Sequence, residues 1–528
     1  MNASSFTLTT LFAALSVSAT CPNTFAQRCM AFEPEKLVPY ATRTVLEFVK
    51  SGETLQFPDN VKSCGRPQQK VTADLCRVAL HIPTSNRSEI TFELWLPEKW
   101  EGNRFIATGN GGIDGCVKYE DIAYASRHGF AAVGTNNGHN GSTGELFYHN
   151  PDVLEDYAHR SLHTGTTVGK LLTEQFYAKK PDYSYYIGCS LGGRMGVHAA
   201  EMFPEDFDGI VAGAPAVDFN HLQGQRAMFY PITGKKGSKD FITADQWGNL
   251  IHSEVMQQCD ELDGVKDGII EVVDRCVFDP EPLRCSEGQQ STECLNDAQI
   301  KRLEKIYAPY TYPNGTLIYA RMNPGNEKFA TQKLLAGEPF PYSQDWFRYV
   351  VLNDPSWDAL TYNIDDVTKA EELNPFNIRT YPQTLPEFKA RGGKMISYHG
   401  GQDNQITSLN TERFITRMMD ADKHLADYYR FFRIAGMNHC NSGPGAWVFG
   451  QGGNLAGEGI AFDAETNVLA AIVAWVEKKK APETITGTKF VNDTISLGVD
   501  FQRSHCPYPT VQTFQGGDYK KTTSWKCV

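Results

Sequence analysis

The sequence predicts an α/β fold organised around a parallel sheet, and three neighbouring observations carry that expectation. Ser184-Tyr185-Tyr186-Ile187-Gly188 is a short aromatic and β-branched run that reads as a strand. Residues 191–203 (LGGRMGVHAAEMF) form a helix-compatible run stopped by Pro204. Gly209-Ile210-Val211-Ala212-Gly213 follows at once as a second buried strand. Strand, helix and strand at that spacing make a βαβ unit, whose two strands lie parallel in one sheet.

The other elements extend this unit. Residues 92–96, 105–108 and 130–135 are short apolar strands separated by Gly, Asn and Pro turns, and residues 157–177 have the helical character needed to cover one face. After Ala214-Pro215 the pattern changes. Residues 220–391 are richer in proline, aromatics and irregular polar stretches, with no further clean βαβ repeat, and are taken as an inserted domain. Strands resume at 394–398 and 429–434, and a helix over 463–479, capped by Asp463 and ended before Pro482, closes the sheet-forming part. Two stretches, 27–219 and 392–528, then make up the principal domain.

With 528 residues, 41% hydrophobic and 12% aromatic, the chain has the composition of a packed globular protein larger than one ordinary core, which excludes disordered and collagen-like classes. A net charge of -12 without a basic cluster argues against nucleic acid or an anionic membrane as partner and leaves small neutral or aromatic ligands open. Residues 6–19 (FTLTTLFAALSVSA) are an apolar run too short to span a bilayer, and Thr24-Phe25-Ala26 supplies small residues suited to cleavage before Gln27. Residues 1–26 are therefore read as a secretory signal peptide, although the positive charge usual at the start of such a leader is missing and a cut nearer Ala19 is the alternative. Removing the leader with Cys21 leaves twelve of the thirteen cysteines, an even number suited to six bridges in an oxidising compartment. Beyond the leader, Asn86, Asn140, Asn314 and Asn492 stand in Asn-x-Ser/Thr acceptors for glycans of a secreted, extracellular protein.

The candidate chemistry lies at Gly188-Cys189-Ser190-Leu191-Gly192. A serine between two glycines, directly after a strand and before a helix, is the pattern of a nucleophile elbow, in which the chain reverses so sharply that only glycine lets the flanking backbones pass. The competing reading is a glycine-rich turn with an incidental serine. A serine hydroxyl is a poor nucleophile until an imidazole takes its proton and a carboxylate orients that imidazole. In sheets of the hydrolase type the order along the chain is serine, acid, histidine, with the acid just after a late strand and the histidine beyond the next. Asp403 and His439 meet these two conditions. His399, His163 and His198 sit inside elements or before the acid, where a packed or capping role is expected.

Cys189 directly precedes the candidate nucleophile and Cys440 directly follows the candidate base. A bond between them would bring their Cα atoms within about 7 Å. Spacing alone leaves the pairing open, and buried thiols or other partners are the alternative. Backbone amides are the natural donors to a tetrahedral oxyanion, each worth ~3 kcal/mol in an enclosed site. Leu191 N–H and either Gly111 or Gly112, in Gly109-Asn110-Gly111-Gly112 after the 105–108 strand, are the candidates, with a structural turn as the alternative. In Cys259-Asp260-Glu261-Leu262-Asp263-Gly264-Val265-Lys266-Asp267-Gly268-Ile269, three aspartates alternate with glycine turns. Hard oxygen donors so arranged suit Ca²⁺, but spacing alone reads as a pair of Asp-Gly turns and departs from the EF-hand loop.

The Cys-Ser, Asp and His-Cys arrangement resembles the tannase and feruloyl esterase family. Its strongest segments here are Gly188-Cys189-Ser190-Leu191-Gly192-Gly193-Arg194, residues 203–215 (FPEDFDGIVAGAP) and Asn438-His439-Cys440, and the likeness extends over nearly the whole chain after the leader. The resemblance implies an α/β-hydrolase domain with an inserted lid, a serine carboxylesterase activity and a Cys189–Cys440 bridge. It further implies a structural calcium in the lid, held by Asp260, Asp263, Val265, Asp267 and Ile269, with no organic cofactor. The other implied bridges are Cys259–Cys276, Cys29–Cys76, Cys64–Cys116, Cys285–Cys294 and Cys506–Cys527. The implied substrates are small aromatic esters: hydroxycinnamoyl esters of cell-wall sugars first, galloyl esters next, with lid aromatics such as Trp346, Phe347, Tyr349 and Trp357 available to cover the ring or to fill the lid core. A non-catalytic binding protein and a serine peptidase are the readings from other classes.

Overall fold

Nine strands make the main sheet of the computed structural model, which describes residues 24–287, 289, 293–453 and 460–528. In chain order they are β1 (Thr42–Val49), β2 (Leu75–Pro83), β3 (Glu89–Pro97), β4 (Arg104–Thr108), β5 (Ala131–Thr135), β6 (Tyr183–Cys189), β7 (Gly209–Gly213), β8 (Lys394–Gly400) and β9 (Tyr429–Ile434). Across the sheet the order is β1-β2-β3-β5-β4-β6-β7-β8-β9. The first three pairings are antiparallel. All those from β5 onward are parallel. The expected βαβ unit is thus the centre of a mostly parallel sheet whose β6 carries the candidate serine at its carboxyl end, where α/β sheets present their ligand sites.

Alternation along the strands explains why both faces are covered. Tyr185 and Ile187 of β6 face one apolar layer while Tyr186 faces the other, and Val211 and Ile210 divide in the same way on β7. A period of two on strands buried from both sides needs helices above and below. Helices α1 (Tyr119–Arg127) and, at the far end of the chain, Val468–Lys478 pack on the first layer. Helices α2 (Ser161–Tyr177) and α3 (Leu191–Met202) pack on the second.

The segment between β7 and β8 adds no strand to this sheet. It begins with the buried helix α4 (Phe219–Thr233), so the boundary expected at 219/220 falls one residue inside a helix. Its β-structure among the described residues is the small ladder Tyr310–Thr311 with Leu317–Tyr319 and a single bridge between Arg284 and Leu295. Beyond β8 the chain forms α5 (Ser408–Ala421). The last long helix, α6, spans Val468–Lys478 rather than 463–479. Its cap is Asn467, whose side chain accepts from Ala470 N–H, while Asp463 closes a separate turn on Glu465 and Thr466. An aspartate that satisfies amides two and three residues on resembles a helix cap in sequence.

The apolar core of the expected leader lies outside the described residues. Thr24 caps a short helix, Phe25–Met30, through a reciprocal bond with Gln27. Phe25 is buried, its ring 5.9 Å from Phe48 and 5.6 Å from Phe176. A cut before Gln27 would remove Phe25 from the core, whereas the cut nearer Ala19 keeps it.

Candidate active site

Ser190 occupies the turn between β6 and α3 with φ 66° and ψ −120°, a conformation costly for a residue with a Cβ. The surroundings hold it there. Ser190 N–H donates to Gly213 O at 3.0 Å and Gly192 N–H to Asn110 O at 2.9 Å, tying the turn to the ends of β7 and β4. A Cβ on Gly188 would meet Gly192 Cα at 2.9 Å, and one on Gly192 would meet Asn110 O at 3.0 Å and Gly109 Cα at 3.3 Å. Glycine is required at both positions by close backbone approach, which is the physical content of the elbow pattern.

His439 and Asp403 come from the loops after β9 and β8. Asp403 is fully buried, and its Oδ2 accepts from His439 Nδ1 at 2.7 Å. Its Oδ1 accepts from the amides of Gln405 at 2.7 Å and Ile406 at 2.8 Å. Burial by itself would raise the proton affinity of this carboxyl, but the His439 charge and the bonds from His399 and His439 outweigh it and hold Asp403 far below the usual carboxylate range. With Nδ1–H held by the carboxylate, His439 is left to work through Nε2. The Cys189–Cys440 disulfide joins cysteines 251 positions apart with their Cα atoms at 6.1 Å, so the adjacent residues Ser190 and His439 are held as neighbours.

Ser190 and His439 line one cavity of about 380 Å³, floored by Gly109-Asn110-Gly111-Gly112. Leu191, the first residue of α3, has no carbonyl one turn back in its helix for its N–H, which is the condition for an oxyanion donor. Gly111 N–H leans on Asp114 Oδ1 at 3.4 Å, and Gly112 has φ +55° with its open side against Tyr342. The loop is fixed from behind by Asn110, whose amide donates to Cys116 O and Thr135 O. Of the inserted segment's aromatics, Tyr342 reaches this cavity. Of the two roles open to the other four, core is the one they take: Trp346 and Phe347 are core residues of the insertion, Tyr349 and Trp357 pack against that core, and none of them lines the cavity. Residues at helical spacing on a buried face look alike in sequence whether they meet a ligand or a neighbouring helix.

Three contacts around the acid carried no sequence signal. His399, expected as a packed histidine, donates from Nε2 to Asp403 Oδ2 at 3.0 Å. Asn326 and Arg226, both from the inserted segment, bond Asp403 O at 2.7 Å and Gln405 O at 3.0 Å.

In the aspartate loop, Asp260 accepts from Gly268 N–H at 3.0 Å, Asp263 from Val265 N–H at 2.9 Å and Asp267 from Ile269 N–H at 3.1 Å. Asp267 also pairs with Arg503 at 3.1 Å. Asp263 Oδ2 is buried without a hydrogen-bond partner, and burial together with the Asp267 charge pushes the Asp263 carboxyl up to about 6. A buried, unpartnered, hard oxygen beside two further carboxylates fits a divalent cation. Among the described residues, the one group of three such side chains whose ligand atoms lie within 4.8 Å of one another is elsewhere, Asp218, His221 and Glu371, and there Arg379 already pairs with both carboxylates. All six implied disulfides are closed, Cys29–Cys76, Cys64–Cys116, Cys259–Cys276, Cys285–Cys294 and Cys506–Cys527 besides Cys189–Cys440. Asn86, Asn140, Asn314 and Asn492 are exposed.

A strained serine at the end of a central parallel strand, lining one cavity with a histidine held by a buried aspartate, has the arrangement of a serine hydrolase of the α/β class. The chain belongs to the tannase and feruloyl esterase family, whose model matches residues 76–528. It is 52% identical over 505 residues, 95% of this chain and 96% of the relative, to a protein of Aspergillus flavus named probable feruloyl esterase B-2. It is 45% identical over 509 residues, 96% of this chain and 95% of the relative, to probable feruloyl esterase B of Emericella nidulans. The crystal structure of feruloyl esterase B from Aspergillus oryzae superposes with a TM-score of 0.92 at 41% identity, covering 96% of this chain and 100% of that one. Tannin acyl hydrolase from Aspergillus niger shares the fold, with a TM-score of 0.73 at 19% identity over 95% of this chain and 94% of that one.

Proposed function

We propose that this protein is a secreted serine carboxylesterase that cleaves feruloyl and related hydroxycinnamoyl esters of plant cell-wall polysaccharides. The observation that carries the substrate class is the 52% identity over 95% of the chain to a protein named for feruloyl ester cleavage. The likeness to the tannin acyl hydrolase, at 19% identity, reaches the fold alone and leaves galloyl esters as the second reading.

The reaction is two-step acyl transfer. Ser190 Oγ attacks the ester carbonyl while His439 Nε2 takes its proton. Leu191 N–H and an amide of Gly111 or Gly112 receive the developing oxyanion. His439 then protonates the leaving alcohol, and water, deprotonated by the same nitrogen, releases the acid and restores Ser190. Asp403 stays ionised throughout, and its Oδ2 bond to His439 Nδ1 at 2.7 Å supports that role. The segment between β7 and β8 serves as the lid, with Tyr342 in contact with substrate.

Asp260, Asp263 and Asp267, with the carbonyls of Val265 and Ile269, would hold a calcium ion whose charge compensates the carboxylates. Secretion fits the apolar leader with a cut nearer Ala19, six closed disulfides and four exposed glycan acceptors. No helix among the described residues is long and apolar enough to cross a membrane.

The test is acid release from methyl ferulate, methyl caffeate and methyl gallate side by side, with Ser190→Ala as control. Turnover of the two cinnamoyl esters without gallate supports the reading. Preference for gallate replaces it with the tannase reading, and an active Ser190→Ala removes the mechanism.

A further inference from the structure

The histidine that the sequence offers as a packing residue lies behind the acid. His399, on β8, is completely buried and does not line the cavity with Ser190. Its Nε2 is 3.0 Å from Asp403 Oδ2 and 3.1 Å from Ile406 O. A carboxylate oxygen and a carbonyl only accept, so the ring proton sits on Nε2. Nδ1 is 2.9 Å from Thr411 Oγ1 on α5, a hydroxyl able to donate. The neutral ring therefore has a partner at each nitrogen without a second proton.

The two oxygens of Asp403 are treated differently. Oδ1 is engaged by two main-chain amides, Gln405 and Ile406, which the loop supplies whatever surrounds it. Oδ2 receives two imidazoles, His439 and His399, and nothing else. A histidine serving only to fill the core would be equally well satisfied by main-chain acceptors. This one shares its single donor between a main-chain acceptor, Ile406 O, and the oxygen that orients the base.

We infer that His399 is a positioning residue for the hydrolytic step, whose Nε2–H fixes Asp403 Oδ2 toward His439 and keeps that carboxylate a weak base. The inference rests on the roles proposed for Ser190, His439 and Asp403. With the second donor removed, Oδ2 is left with His439 alone and attracts its proton more strongly. The imidazolium is then favoured, and a higher pH is needed to obtain the neutral base. The charged groups facing this pair from other elements are Glu412 of α5, which pairs with Arg433 of β9 at 3.4 Å, and Arg226 of α4 above Gln405. Arg321 and Asp274 lie beyond Glu412 and act on its charge.

The experiment uses the full chain and 4-nitrophenyl acetate, an activated ester whose cleavage reads the triad whatever acyl group the pocket prefers. Ser190→Ala runs alongside: if it retains activity, the reading of the site fails independently of His399. His399→Leu is expected to lower kcat about tenfold with KM within about twofold. The acid limb of its kcat/KM profile should move up by about 0.5–1 pH unit, the equivalent of one lost hydrogen bond. His399→Gln, whose amide nitrogen can take the place of Nε2, should recover most of both. Glu412→Gln separates that group's titration from the limb. Thr411→Val covers the case in which His399→Leu does not fold. Loss of the hydroxyl bonded to Nδ1 weakens the Nε2 donor, and the limb should move the same way by a smaller amount. A folded His399→Leu with the kcat and acid limb of the parent overturns the inference, as does a Thr411→Val profile that coincides with the parent's when His399→Leu fails to fold.

Discussion

Asn326 donates its side-chain amide to the main-chain carbonyl of Asp403 at 2.7 Å, joining the segment inserted between β7 and β8 to the loop that carries the acid. Asn326 is completely buried, and Asn323 makes a parallel bond to Gly401 O at 2.9 Å. The acid loop is therefore braced from the insertion and not only from the sheet.

Asn326→Ala should lose a buried hydrogen bond worth about 1–2 kcal/mol and leave Asp403 O without its partner. We expect a lower melting temperature and a kcat reduced several-fold with KM little changed. Steady-state kinetics on methyl ferulate with a thermal melt decide it: a kcat equal to the parent's would mean that the loop holds itself.

Cys189→Ala with Cys440→Ala should reduce activity more than it unfolds the protein. The sheet positions of β6 and β9 do not depend on the bond, whereas the Ser190 and His439 loops do. The closed loop spans 251 residues, for which chain entropy alone gives an upper estimate of about 5 kcal/mol. Mass mapping of a non-reduced digest tests the premise, and finding these two cysteines unpaired would remove it.

The aspartate loop predicts about one calcium per chain and a melting temperature lowered by chelator. Elemental analysis showing no metal, together with a melt indifferent to chelator, would return the segment to a turn held by its own amides.

In the calcium-free protein the contribution of three carboxyls to stability should fall as pH rises from about 4 to about 7. Against it stands that of His128, His159 and His505, which burial pulls down to about 4 and whose contribution rises over the same interval. Asp263 is pushed up to about 6, and Glu271 and Glu412 to about 7, in each case first by burial. In the unfolded chain such carboxyls titrate near 4, so over this interval the folded state holds more protons on them, and their contribution declines with rising pH. Asp403 acts oppositely: its stabilisation is complete above about pH 4 and is lost only in stronger acid. Calcium, by taking the Asp263 charge, should flatten the slope. Melts across pH with and without calcium measure this through their difference, and a calcium-induced rise in melting temperature that does not grow toward neutrality contradicts it.

What could be read from the sequence was whatever depends on local chemistry. The strand of β6, the glycines around Ser190 and the strands of β7, β8 and β9 are dictated by close approach and by apolar runs, both of which are visible in one dimension. The placement of Asp403 and His439 followed from chain order. The start of α6 was misplaced because Asp463 makes the same bonds in a turn that a cap makes on a helix. The insertion's inner face was illegible for another reason. Tyr342 and Trp346 are four residues apart, yet one meets the cavity and the other the core, a distinction set by which surface α4 and its neighbours leave open. Asn326 was illegible because its partner lies on a distant loop, and His399, only four residues before Asp403, because the turn that folds the acid back onto its ring has no mark in one dimension.

The Cys189–Cys440 bond also bears on biosynthesis. Each cysteine is adjacent in sequence to a residue of the candidate reaction centre, so chemical maturation of the polypeptide and assembly of that centre are a single event. Material translated where glutathione keeps thiols reduced would acquire the sheet and still present serine and imidazole on untethered loops. Specific activity in a recombinant preparation would then report the fraction of molecules that completed oxidative folding, and hosts are better compared by that ratio than by yield.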